Sequence, residues 1–501
     1  MSDLPVIRDL ELLADEEAIR LVPRRVAERL VALPMRMEGD RLLVAMASPQ
    51  DLYAVDELAR VIGRKVQPAQ AGASAIQKAI LRFYGDAEEL ETGPALVEPG
   101  LTVEADARVG GAPVTGEEAP AVEFVNSLLE TAIASRASDI HIEPQATGVY
   151  VRLRVDGVLL DQTRVPVDMH PGIVSRIKIL AGMDIAEPRL PQDGRFDGRL
   201  RGQVFDIRVS SVPSIFGQNV VLRLLPKTAS GLRLSELGFL PDQLSLMSQL
   251  VARPFGMVIA TGPTGSGKTT TLYGVLSRLD RVGKHVLTIE DPVEYQLPRV
   301  TQIQVNPKVG LDFAHGLRSI LRQDPDILMV GEIRDVETLR MAIQSALTGH
   351  LVLTTVHCND AASGAARLID MGAEPFLVAS AVSAMISQRL VRKICERCKT
   401  EDTPPAEVLE GLGLAGQGPF YRGKGCEHCR GTGYHGMTGV FETLVVDEVI
   451  GGAINRRETA SEIRRLAKSL GVRDLLDDAK EKVLLGITTV EEITRAVFVE
   501  Q

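Results

Sequence analysis

The chain contains no tryptophan, and aromatic residues fill only 4% of its 501 positions. Base-stacking platforms for single-stranded nucleic acid are built from such rings, so that class of binder has little material here. A surplus of positive charge is missing as well. The formal net charge is −10, the opposite of the sign a broad nucleic-acid footprint needs, and no direct nucleic-acid partner is expected. No apolar run approaches the roughly 20 residues of a membrane-spanning helix, and the first ten residues lack the basic-then-apolar order of an export signal. The expectation is a cytoplasmic chain that meets a membrane only through partners. Cysteine is scarce too, with five residues in all. Four of them stand in two close pairs, a pattern that belongs to metal binding in a reducing compartment rather than to a disulfide scaffold.

What is present describes an ordinary soluble composition, 45% hydrophobic and 24% charged, in a chain too long for one hydrophobic core. Residues 1–85 form a first unit, with helical spacing over Glu17–Leu30, Ala54–Ile62 and Ala75–Phe83 and a strand over Arg41–Met46. Residues 86–120, rich in Gly, Pro, Glu and Ala, read as a flexible linker. Residues 121–230 mix helical and alternating patterns: Asp139–Glu143 and Tyr150–Val155 alternate as strands, and Asp156-Gly157 marks a hairpin turn. A helix around Val174–Leu180 and strands at 205–210 and 220–225 complete a small α+β domain. From about 235 to 501, strands at Gly256–Ala260, His285–Ile289, Ile327–Val330 and Leu351–Thr355 alternate with longer helices, as in a parallel sheet covered on both faces. The last 60 or so residues read as mostly helical.

Residues 262–269 read Gly-Pro-Thr-Gly-Ser-Gly-Lys-Thr after the apolar run Met257–Ala260. This is a strand feeding a glycine-rich phosphate cradle at a helix start, the Walker A arrangement of a nucleoside triphosphate site. Gly262, Pro263, Thr264, Gly265, Ser266, Gly267, Lys268, Thr269 and Thr270 are the binding candidates, with Lys268 supplying charge and Thr269 a hydroxyl for Mg2+. Ile327–Val330 runs into Gly331-Glu332, a Walker B arrangement in which Glu332 can orient and polarise the attacking water. Thr288-Ile289-Glu290-Asp291-Pro292 ends a second strand with two acids. Glu290 is the favoured helper at the Mg2+ or the water, with Asp291 open on spacing alone. His350 and His357 stand at the two ends of an apolar strand, each a candidate phosphate contact or an ordinary satisfied donor. Cys358 reads as a buried thiol. Cys395-x-x-Cys398 and Cys426-x-x-Cys429 are two knuckles able to hold one structural Zn2+ with four thiolates, with His428 outside the ligand set.

The order of these motifs resembles the secretion and type IV filament assembly ATPases. It comprises Walker A, the acidic segment 288–295, Leu321–Asp326 leading into Gly331–Asp335, the histidine strand and the four-cysteine insert. The likeness covers residues from about 120 to 501, falls nearest the type II secretion ATPases, and has the pilus extension ATPases close behind. It implies a RecA-like P-loop domain with a parallel-rich sheet and a zinc insert at 390–435, a preceding PAS-like α+β domain, and a small N-terminal α/β domain. It also implies a homohexamer that hydrolyses ATP at the inner membrane against platform proteins of a secretion or pilus machine. In such enzymes arginines of the smaller domain reach the nucleotide phosphates, and the matching positions are Arg195 and Arg208. Asp139, His141 and Glu143 match the same domain and read as contact residues rather than a metal trio. The paired Arg-Leu-Gly motifs through which some relatives bind a cyclic dinucleotide are missing from the N-terminal segment, which reads as a platform-docking domain. A DNA-translocating ATPase is the distant alternative.

Overall fold

In the computed structural model residues 15–80, 102–104 and 119–498 are described, apart from 20, 23, 39–40, 63, 74, 77–78, 201–202 and 228–232. The chain divides into two compact units, Met1–Leu96 and Val97–Gln501.

The first unit holds three strands, β1 (Ala32–Glu38), β2 (Arg41–Met46) and β3 (Lys65–Gln70). β1 and β2 form an antiparallel pair, whereas β2 and β3 run parallel and are joined through the helix Leu52–Ile62, the crossover a parallel pair requires. The helix expected over Glu17–Leu30 is two helices, Glu16–Ile19 and Arg24–Leu30. Val22 precedes a proline in the sequence, and a residue in that place is pushed out of helical geometry. The helix expected over Ala75–Phe83 lies partly, and the linker expected over 86–120 mostly, outside the described residues.

Within that linker, Thr102–Glu104 is a strand, β4, which extends the sheet of the second unit. The sheet continues with β5 (Ala137–Gln145), β6 (Gly148–Val155), β7 (Val158–Val165), β8 (Gln192–Leu200), β9 (Gln203–Ser214) and β10 (Gly217–Pro226). Its order is β4-β8-β9-β10-β5-β6-β7, antiparallel throughout. Helices Ala119–Ala134 and His170–Leu180 pack Val125, Leu129, Ile173 and Ile177 into a core with Ile140, Val151 and Ile207. Asp156 and Gly157 both have positive φ, +48° and +80°, as a two-residue hairpin turn requires. Buried Lys178 donates to the carbonyls of Asp184 and Glu187, and Gln192 Nε2 donates to the same two. These bonds fix the loop that delivers β8.

The larger sheet holds β11 (Gly256–Thr261), β12 (Val286–Glu290), β13 (Thr301–Gln304), β14 (Ile327–Val330), β15 (Leu351–Val356) and β16 (Val382–Ile394). Two short strands, β17 (Lys399–Asp402) and β18 (Phe420–Gly423), pair within the cysteine insert, and β19 (Tyr434–Val445) returns antiparallel along β16. The order is β13-β12-β14-β15-β11-β16-β19, parallel except for the last pair. Alternate residues of β11 enter different cores: Met257 and Ile259 join one, Val258 and Ala260 the other. Strands buried on both faces read as continuous apolar runs, which is why these four were legible in the sequence. The helix Leu475–Leu484 is stitched to β19 by a buried pair, Asp478 and Lys482. Asp478 accepts from Phe441 N at 2.9 Å, and Lys482 Nζ donates to Gly439 O at 2.7 Å.

Candidate functional site

β11 ends at Thr261, and the chain turns through residues 262–267 into the helix Lys268–Arg278. Gly262, Gly265 and Gly267 have φ of +148°, +79° and +87°, so the loop depends on glycine at all three places. A Cβ on Gly262 would stand 2.5 Å from Ser266 Oγ and 2.7 Å from Gln388 O, whereas one on Gly265 would meet nothing within 4 Å. The cradle is thus closed behind and open in front. Ser266 Oγ is buried without a partner inside it, and Lys268 Nζ folds back onto the carbonyls of Gly262 at 2.8 Å and Pro263 at 3.0 Å. Burial draws the lysine's pKa down, and Glu332 pulls it back up. Helix N–H groups, an orphan hydroxyl and an ammonium resting on carbonyls make a built site for phosphate.

Substituting Gly262 by alanine tests the cradle. The strained backbone costs about 1–3 kcal/mol, and the added Cβ clashes with the backbone carbonyl of Gln388, which no side-chain rotation relieves. The expected outcome is a lower melting temperature together with loss of binding of a fluorescent ATP analogue. Wild-type melting and affinity in that variant would mean the loop tolerates a side chain and is not held as described.

β14, β15 and β11 are neighbours in the sheet, so their carboxyl ends converge beside the cradle, the usual crevice for ligands of open parallel sheets. Gly331 N donates to Ile289 O at 2.8 Å, and Thr355 Oγ1 donates to Gly331 O at 2.8 Å, fixing the turn that carries Glu332. Asp335 caps the next helix, Val336–Leu347, and holds the other end of that turn. The Glu332 carboxylate, 15% exposed, sits between Arg334 at 2.5 Å and His357 Nε2 at 3.5 Å. His357 therefore stands with the cradle and the acid. His350 lies at the amino end of β15, where its Nδ1 is 3.0 Å from Ser345 O, and belongs to the opposite edge of the sheet. Cys358 is partly buried, and burial pushes its thiol up to about 11.

Glu290 occupies a different position from the water-side acid the sequence suggested. Its Oε1 accepts from Thr288 Oγ1 at 2.5 Å and Gln302 Nε2 at 3.1 Å, and its Oε2 accepts from Tyr273 OH. The side chain is 2% exposed and braces β12 and β13 against the helix that begins at Lys268. Burial and Glu290 together raise the Tyr273 pKa, which keeps that phenol a donor. Asp291 is exposed at the strand end.

Arg195, Arg208 and Arg223 lie directly opposite one another across β8, β9 and β10. Like charges in that register repel, and only part of the repulsion is relieved locally. Arg208 Nε donates to Asp206 at 3.2 Å and Arg223 Nε to Asp139 at 3.0 Å, whereas exposed Arg195 has no carboxylate partner among the described residues. The row faces residues 292–296, which follow β12 of the larger sheet, across a cleft of about 1390 Å³. Arg223 was not singled out from the sequence, because its membership depends on cross-strand register. Asp139 is also bonded by Ser138 Oγ, and Glu143 by Arg152 at 2.6 Å, so the acids of that segment hold arginines.

Cys395, Cys398, Cys426 and Cys429 bring their sulfurs within 4.8 Å of one another. Three of the Sγ–Sγ distances are 3.7–3.8 Å, and four sulfurs about 2.3 Å from a single tetrahedral ion stand about 3.8 Å apart. Burial pushes the Cys398 thiol up to about 12. At Cys429 burial acts the same way, but the N–H groups of Cys426 and Gly433 and the neighbouring thiols outweigh it and bring the thiol down to about 7. The donor set fits a thiophilic ion. The His428 ring lies on His435 with centroids 4.0 Å apart, outside the sulfur cluster. The segment after Cys429 also reaches the other sheet and its helix: Arg430 donates to Gln162 at 3.3 Å and to Ser135, and Gly436 N, in β19, donates to Asp156 at 2.8 Å.

A RecA-like parallel sheet with a phosphate cradle, a Walker B acid and a facing row of arginines defines a P-loop nucleoside triphosphatase. Comparison with known proteins takes this a step further. The family model described as Type II/IV secretion system protein matches residues 115–495, and an MshEN domain model matches residues 2–90. The type IV pilus assembly ATPase PilB of Thermus thermophilus is 43% identical over 488 residues, 96% of this chain and 54% of that protein. Type II secretion system protein E of Pseudomonas aeruginosa is 41% identical over 485 residues, covering 95% of this chain and 96% of that protein. Among solved structures, the Legionella pneumophila ATPase DotB shares the fold with a TM-score of 0.56 at 24% identity, over 77% of this chain and 97% of that one. The chain belongs to the Type II/IV secretion system protein family, and it is an ATPase of that family. Among the described residues no helix is long and apolar enough to cross a membrane.

Proposed function

We propose that the protein is an ATP-hydrolysing motor that works as a homohexamer at the cytoplasmic face of the inner membrane. It drives assembly of a pilin-like filament for type II secretion by pushing on membrane-embedded platform proteins. The observation that carries this reading is the convergence of Lys268, Glu332 and His357 at the carboxyl ends of one parallel sheet, with an arginine row of the other sheet standing across a cleft from residues 292–296, which follow β12. Such a cleft couples nucleotide occupancy to relative domain position. Identity with type II secretion protein E over nearly both full lengths supports the secretion role. Pilus extension is the second reading, favoured by the identity with PilB. Residues 1–85 act as the platform-docking domain in either case, and 121–230 and 235–501 are the two moving parts.

The N–H groups of the cradle from Gly262 to Gly267 hold the phosphates, with Pro263, Thr264 and Ser266 shaping the loop and Lys268 moving from its carbonyl contacts to the β- and γ-phosphates. Thr269 would hold Mg2+, with Thr270 beside it, and the ion when bound neutralises phosphate charge. Glu332 orients the attacking water and accepts its proton, while His357 and Arg334 hold the carboxylate in place. Arg195 and Arg208 stabilise charge on the transferred phosphoryl group. Glu290 supports this from behind, through Tyr273 and the helix that starts at Lys268. Cys395, Cys398, Cys426 and Cys429 would hold Zn2+, a structural ion with four thiolate ligands.

Steady-state hydrolysis tests the assignment. Cytoplasmic domains of secretion and pilus platform proteins are added separately, and DNA in a third arm. Several-fold stimulation by a platform domain is the expected result, and the platform that stimulates more decides between the two readings. Stimulation by DNA alone would overturn both in favour of a translocase.

A further inference from the structure

The arginines of the cleft are not in equal circumstances. Arg208 lies between two carboxylates, Asp206 on its own strand and Glu294 on the facing domain, whose Oε2 is 3.7 Å from Arg208 Nη2. Asp206 shares strand β9 with Arg208, whereas Glu294 follows β12 of the other sheet. Glu294 Oε2 is buried and receives no hydrogen bond. Burial pushes this carboxyl above its ordinary value, Arg208 and Arg223 draw it back, and Glu290 and Asp206 add to the upward push. The backbone N–H of Glu294 donates to Tyr273 OH at 3.2 Å, and that hydroxyl donates to Glu290. The acid is therefore registered to the helix that begins at Lys268, while its free oxygen faces the smaller domain.

We propose that Glu294 is a positioning residue that holds Arg208 against the P-loop domain and competes for its guanidinium with the phosphates of a bound nucleoside triphosphate. The inference rests on the reading of Arg208 as a phosphate-binding arginine. At 3.7 Å the pair is attractive but longer than a hydrogen bond, whereas a phosphate accepts two guanidinium donors at bonding distance. Phosphate wins the exchange, and Glu294 sets how much nucleotide it takes. The two side chains are 34% and 32% exposed, so solvent screens the pair and the effect on binding is about two- to fivefold.

The test is a titration of the full-length protein with a fluorescent ATP analogue and Mg2+, with kcat and KM for ATP measured alongside. Four proteins are compared: wild type, Glu294→Gln, Arg208→Ala and the double variant. Glu294→Gln is expected to bind about two- to fivefold tighter with kcat within about twofold of wild type, and the tightening is expected to vanish in the Arg208→Ala background. Glu294→Asp, which keeps the charge but withdraws it by one methylene, is expected to tighten binding less and stands in if the glutamine variant does not fold. Unchanged affinity in both Glu294 variants overturns the inference, as does tightening that persists without Arg208. If Arg208→Ala itself matches wild type in affinity and turnover, the phosphate-binding reading of Arg208 falls, and this inference falls with it.

Discussion

Glu332→Gln is expected to lower ATP turnover by about 10²- to 10⁴-fold, the usual worth of a positioned general base, while nucleotide affinity stays within about threefold. The amide has the size of the carboxylate and keeps its place between Arg334 and His357. It cannot accept a proton from water, and it presents no charge to Lys268, whose ammonium responds to Glu332 in this structure. Phosphate release under saturating ATP and a parallel binding titration separate the two effects. A variant with intact turnover would move the proton acceptor elsewhere on this sheet edge, with exposed Asp291 the first alternative. Equal loss of binding and turnover would instead mean that Glu332 holds the loop rather than the water.

The second large effect concerns the cysteine cluster. Elemental analysis of protein purified without chelator is expected to give one zinc per chain, and Cys429→Ser or exhaustive chelation is expected to unfold the insert. Structural zinc is worth apparent values of about 10–16 kcal/mol in small fingers; the insert here is also held by β16 and β19, so its loss should appear as a separate, lower unfolding transition rather than global collapse. Retention weakens as pH falls, because bound thiolates must be regained from protons, and Cys398, pushed up to about 12, resists ionisation most. Limited proteolysis supplies the second readout, with new cleavage expected between Cys395 and Gly433. The contacts of Arg430 with Gln162 and Ser135 should be lost at the same time. Metal-free protein with an unchanged melting curve and cleavage pattern would sink this assignment.

How much of the site was legible depended on how local each signal is. The cradle residues are contiguous and each cysteine pair is tight, so their chemistry is written in spacing alone. The acidic end of β12 was legible as acids but not as roles, because Glu290 turns inward to Thr288, Gln302 and Tyr273 and Glu294 faces the cleft. β8 escaped notice because Gln-Asp-Gly-Arg-Phe-Asp-Gly-Arg-Leu has two glycines and no β-branched residue; pairing with β4 and β9 overrides its weak propensity. The arginine row needed the register of three strands and could not be read from any one of them. In the first unit, Arg41–Met46 was recognisable from its apolar run. β1 and β3 each carry a proline and mixed polarity, and tertiary pairing alone makes them strands.

Strand β16 touches both chemical centres of its domain. Gln388 Nε2 donates to Ser266 O at 2.5 Å within the cradle, and the same strand ends at Ile394, next to Cys395. About 23 Å of extended backbone separates the two points, at roughly 3.3 Å per residue. Because side chains alternate across a strand, one residue added or removed in that stretch would either turn Gln388 away from the cradle or rotate the first knuckle to the wrong face. The cysteine insert is therefore not an interchangeable module: its first ligand is locked in phase with the phosphate loop.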